Sequence, residues 1–125
     1  MTITTAYLWA WLRAFGFTQA VEFPIYRRLV PASRVEAFAA STITHPAVWF
    51  VFPLLEYRAG WTYLSMVIAA ELFAWWGEAL WFWWRLRLLP SAVRPSLVRC
   101  LLVALLANGA SLGLGLLARA LFGVP

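Results

Sequence analysis

The sequence predicts an all-α integral membrane protein: four transmembrane helices in an antiparallel bundle, with both termini on the non-cytoplasmic side. Three observations predict it. The 125 residues are 64% hydrophobic and only 12% charged, with mean hydropathy +0.78, whereas a soluble domain is nearer half apolar and a quarter charged. Four separate stretches reach the ~20 predominantly apolar residues that a spanning helix needs. The basic residues gather in short clusters between those stretches.

One domain is expected at this length, with spans at residues 3–25, 35–55, 61–84 and 97–121. The first ends in Arg27 and Arg28. It also contains Arg13, which either snorkels outward or marks a later helix start. The second opens with Ser33-Arg34-Val35-Glu36, a capping box, and is interrupted by Pro46. The third is rich in tryptophan, and Trp81, Trp83 and Trp84 are expected as an aromatic belt at its cytoplasmic end. The fourth opens with Arg94-Pro95-Ser96, where proline suits a first helical turn. Its Gly109 and Gly113 form a GxxxG, read as a helix-packing face through which a second copy docks.

Arginine orients the bundle. Loop 1 carries Arg27, Arg28 and Arg34, and loop 3 with its flanks carries Arg85, Arg87, Arg94 and Arg99; loop 2 has only Arg58 and the tail only Arg119. The positive-inside rule puts loops 1 and 3 in the cytoplasm, and the expected location is a bacterial inner membrane. The net charge of +5, ten Arg without Lys against five Glu without Asp, then reflects topology and anionic headgroups. It does not point to nucleic acid. The expected partners are the lipid bilayer and a second copy or other membrane subunits. The single cysteine, Cys100, excludes an internal disulfide framework and reads as an inert buried thiol. No basic leader precedes the first apolar stretch, so no cleavable signal is expected.

Ionisable groups inside a membrane are costly and mark function by default. Four lie within the spans: Glu22, His45, Glu71 and Glu78, joined by the neutral Gln19 and Asn108. Counting 1.5 Å per residue places His45, Glu71 and Asn108 in one mid-membrane layer. Glu22 and Glu78 fall roughly 10 Å nearer the cytoplasm, and the site is expected to open to that side. Helical spacing puts Ser41, Thr44 and His45 on one stripe and Asn108 and Ser111 on another, with Ser41 and Thr42 facing the lower carboxylates. Glu36 and Glu56, at helix ends, are expected in solvent. Pro24 and Pro46 free the carbonyls of Ala20 and Thr42 toward the pocket. A faint duplication is also visible: His45 lies twelve residues after Ser33, and Asn108 twelve after Ser96.

Carboxylates, an imidazole and an amide suit a divalent metal such as Mn, Fe or Zn, with His45, Glu71 and Glu78 as ligands, or a proton relay. No HExxH, paired-cysteine site or glycine-rich phosphate loop is present. The leading expectation is a cation or proton site acting in transport or metal handling. The alternatives are an accessory subunit of a larger membrane complex, a small intramembrane metal-dependent hydrolase with Glu71 or Glu78 as base, and, least favoured, an axial pigment ligand at His45.

Overall fold

The computed structural model describes residues 2–123, which are helical throughout apart from their connections and contain no strand. Helix α1 is Thr5–Leu29, α2 Arg34–Pro46, α3 Phe52–Ala59, α4 Tyr63–Arg85 and α5 Leu97–Phe122. A π-helical segment, Ala47–Val51, joins α2 to α3, so Arg34–Ala59 is one continuous helix and the described chain has four in all. Two of them, Arg34–Ala59 and Leu97–Phe122, are long and apolar enough to cross a membrane.

Each helix starts where a hydroxyl can satisfy a free backbone N–H. Thr4 accepts from Tyr7, Thr62 from Ser65, and Ser96 from Arg99, each at 3.1 Å. Ser33 and Glu36 form the reciprocal capping box expected from the sequence. Glu36, however, is not solvated: its carboxylate also pairs with Arg85 at 2.9 Å and its side chain is only 14% exposed. Helix ends are closed by glycine or arginine. Gly60 and Gly123 sit at φ 70° and 65°, which glycine adopts without strain. Arg99 donates from Nε and Nη2 to the Leu29 carbonyl at 3.0 and 2.8 Å, and Arg27 donates to Ala32 at 2.7 Å. The arginines of loops 1 and 3 thus also seal the end of α1.

Pro46 has no N–H to bond back to Thr42. The helix widens into the π segment directly after it, where the Phe52 N–H reaches back to the Ala47 carbonyl. Such π turns insert one extra residue into a helix and collect at functional sites. Arg13 lies on the exposed side of α1, nine residues into the helix.

Packing is cyclic: α1 touches α2 and α5, and α4 touches α2 and α5. The distribution of side chains is inverted relative to a soluble bundle. Much of the interior is small or polar, with Ala37, Ala40, Ala79, Ala104, Ala107, Ser41, Glu22 and Glu78 all 2% exposed or less. The outside carries large apolar groups such as Trp9, Leu64, Ile68, Trp76, Leu102 and Leu116, each at least 45% exposed. The large buried residues are concentrated at the end of loops 1 and 3, where Tyr26, Val30, Phe82, Leu86, Cys100 and Val103 form the core. Cys100 is a free buried thiol there. Trp83 and Trp84 project outward at that end, but Trp81 is half-buried and donates its indole N–H to the Glu36 carbonyl at 3.1 Å.

Gly109 and Gly113 do not mediate packing between helices of the chain. A Cβ added at either meets nothing within 4 Å, so both face outward. Close approach occurs at Gly77 instead, where an added Cβ would lie 3.2 Å from Thr44 Cγ2.

Candidate functional site

The ring of helices encloses a cavity of about 310 Å³ to which all four contribute. Its floor is polar. Ser41 of α2, 1% exposed, donates its hydroxyl to Glu22 Oε2 of α1 in a short hydrogen bond. The same hydroxyl lies 3.1 Å from Glu78 Oε1 of α4. Tyr26 donates to that Oε1 at 3.3 Å, and Ser111 of α5 donates to Glu22 Oε1 at 2.6 Å. Local structure makes this set possible. Ala37, Ala40, Ala74 and Gly77 put little bulk between the helices at this level, so short serine side chains reach carboxylates on neighbouring helices.

No arginine is bonded to Glu22 or Glu78 among the described residues. A serine hydroxyl has one proton to give, so it cannot donate to both carboxylates at once. In a low-dielectric interior two adjacent carboxylates without a counter-charge are strongly unfavourable. The set is electrostatically complete only with added positive charge, whether protons or a cationic ligand.

His45 lines the cavity wall one helical turn above Ser41 and is 9% exposed. Its Nδ1 accepts from the indole N–H of Trp11 at 3.0 Å. The ring is boxed by Phe15 and Trp49, with centroids 5.5 and 6.1 Å away. Its Nε2 has no hydrogen-bond partner among the described residues. Glu71 lines the cavity on α4, seven residues nearer loop 2 than Glu78.

The expected layer of His45, Glu71 and Asn108 is therefore present only as three residues lining one cavity. No hydrogen bond joins them. Asn108 donates to the Ala104 carbonyl at 2.9 Å and His45 turns to Trp11. The expected metal set of His45, Glu71 and Glu78 does not converge either: no three His, Cys, Asp or Glu side chains among the described residues stand close enough to hold a metal ion. Ser41, Thr44 and Ser111 take supporting places, with Thr44 bonded to Ala40 at 3.4 Å. Gln19 and Thr42 do not. Thr42 is exposed, and Gln19 donates to it at 3.3 Å and to the Phe38 carbonyl at 2.9 Å, tying α1 to α2 away from the cavity. The Gln19 Oε1 is buried without a partner.

The direction of opening is the reverse of the expectation. At the end of loops 1 and 3 the floor is backed by the tilted ring contact of Tyr26 and Phe82, 4.4 Å between centroids, and by the apolar core. At the other end the lining continues to Tyr63, in the first turn of α4, and Arg119, in the last turn of α5, both exposed. Two participants were missed by sequence reasoning. Tyr26 lies four residues after Glu22, on the same helical stripe, and that spacing was the signal available for it. Nothing in the sequence singled out Trp11 among nine tryptophans.

No family model matches the chain, and no curated protein or solved structure matches it.

Proposed function

We propose that the chain is an integral membrane protein that binds positive charge, as protons or a small cation, against Glu22 and Glu78 and carries it across the bilayer. The observation that supports this reading best is the pair of buried carboxylates on two helices. They share one hydroxyl at the bottom of a one-ended cavity and have no basic partner.

In this reading all four helices span the membrane as an antiparallel bundle. Helices α1 and α4 fall short of the apolarity of the other two, but at 25 and 23 residues they match the hydrocarbon thickness. Their outward faces carry Leu8, Trp9 and Leu12, and Leu64, Ile68, Leu72 and Trp76, surface that lipid would cover. The arginines of loops 1 and 3 favour a cytoplasmic side for those loops, with both termini outside. The cavity then faces the non-cytoplasmic side. The outward face of Gly109 and Gly113 offers a contact for a second copy, which suits a chain too small to act easily as a lone carrier.

The test is electrical. Proteoliposomes adsorbed on a supported membrane receive a pH jump, and charge movement is recorded. The expected result is a current that disappears in Glu22→Gln and Glu78→Gln and persists in Glu56→Gln, which lies outside the cavity. An undiminished current in Glu78→Gln would overturn the reading.

A further inference from the structure

We propose that the cavity's ligand is an organic ammonium ion carrying an oxygen acceptor, with the nitrogen at Glu22 and Glu78 and the oxygen at His45. This rests on the reading above and names the substrate class of the same site.

Size comes first. At about 310 Å³ the cavity reaches the lower end of small-molecule sites, ~300–1,000 Å³, and has room for roughly ten waters. A proton or a desolvated metal ion needs no such space, and no three ligating side chains converge on a metal among the described residues. The walls are chiefly apolar above the floor, with Phe17, Val48, Trp49 and Leu112. They fit the carbon body of a ligand whose polar groups are few.

The polar groups then assign its two ends. The floor offers carboxylate oxygens from Glu22 and Glu78, both at least 98% buried, and no bonded arginine. An ammonium supplies the missing charge and several N–H donors at once. The second end comes from a different observation. Trp11 donates to Nδ1 of His45, so the neutral imidazole carries its proton on Nε2. That N–H belongs to a ring nine-tenths buried that lines the cavity, and it has no partner among the described residues. Because His45 lines the cavity, that N–H is open to it, and an acceptor on the ligand gives the donor a partner among otherwise apolar walls. His45 follows Ser41 by one turn, so the acceptor lies roughly 6 Å above the floor. Arg119, at the mouth, adds positive charge on the side away from the floor and favours the same orientation.

The test uses the full chain in nanodiscs and titration calorimetry with four probes: 4-methoxybenzylamine, 4-ethylbenzylamine, 4-methoxybenzyl alcohol and Mn²⁺. The expected result is binding of the methoxy amine, about tenfold weaker binding of the ethyl amine, and none of the alcohol or Mn²⁺. Glu78→Gln abolishes amine binding, and His45→Phe makes the two amines equal. If Glu78→Gln does not fold, Glu22→Gln carries the same test. Failure of either amine to bind, equal binding of the alcohol, or preference for Mn²⁺ would overturn the proposal. Pairing the titration with the pH-jump current separates the two readings. A Glu78-dependent current without amine binding leaves the transport reading standing and removes this one. Amine binding without current does the reverse.

Discussion

The indole N–H of Trp11 points at Nδ1 of His45, 3.0 Å away, and that one contact decides what the histidine can offer the cavity. With Nδ1 engaged as acceptor, the neutral ring presents Nε2–H, a donor and not a lone pair. Nitrogen-resolved NMR of the labelled protein should show the Nε2–H tautomer. Trp11→Phe, which keeps an aromatic ring but removes the donor, should produce a tautomer mixture and cost about 1 kcal/mol of stability. A wild-type ring protonated on Nδ1 would refute the assignment.

Ser41 should be the most sensitive small residue in the chain. Replacing it with alanine leaves two buried carboxylates facing each other without their shared hydroxyl. Hydrogen bonds to such groups are worth about 1.5–3 kcal/mol. Thermal unfolding in detergent should show a loss of that size for Ser41→Ala. The loss should shrink by at least about 1 kcal/mol when the same change is made in Glu78→Gln, because the two residues act as one unit. Strict additivity would show that the contact is not energetically shared.

The glycines separate two kinds of contact. Gly77→Leu puts a side chain where the first carbon already approaches Thr44 to 3.2 Å, and should destabilise the fold by about 1–3 kcal/mol through overpacking. Gly113→Leu enters open space and should leave the unfolding midpoint nearly unchanged while shifting the protein from dimer to monomer in light scattering. Retention of the dimer in Gly113→Leu would remove that face from the proposed assembly.

Accessibility checks the direction of the cavity. In a Cys100→Ala background, a cysteine at Tyr63 should react with an impermeant maleimide added to the non-cytoplasmic side of right-side-out vesicles. A cysteine at Ala79, which is 0% exposed, should not react from either side. Labelling of Tyr63→Cys only from the cytoplasmic side would reverse the proposed orientation.

The helices were legible in the sequence because apolar length and capping hydroxyls act locally. The Ser33 and Glu36 box stands where the residues put it, and the second helix runs on only a few residues beyond its expected end; Pro95, expected in the first turn of the fourth helix, instead precedes its Ser96 cap and lies outside it. The site was legible by membership more than by arrangement. Glu22, His45, Glu71, Glu78, Asn108 and Ser111 do line one cavity. Counting residues along an axis yields height but not rotation, so it could not show that His45 faces Trp11 or that Asn108 bonds to its own helix. Gln19 and Thr42 were misplaced for the same reason: they share the height of the site but lie on the other side of α1 and α2. The closed end was not legible because the depth of Glu22 and Glu78 along their helices says nothing of Tyr26, Phe82 and Leu86, which pack beneath them. Only packing shows that they fill the bundle.

Tyr26 is both a wall and a messenger. Its ring rests on Phe82 and shuts the cavity from the side of loops 1 and 3, while its hydroxyl is bonded to Glu78 on the floor. In this conformation the cavity is closed at the end of loops 1 and 3. On the transport reading proposed above, passage to the other side requires this seal to part, which breaks the Tyr26 hydrogen bond to Glu78. Pro24, two residues before Tyr26, removes a backbone hydrogen bond at that level and lowers the cost of bending α1 there. In the transport proposed above, occupancy and opening would therefore be joined through the Tyr26–Glu78 contact.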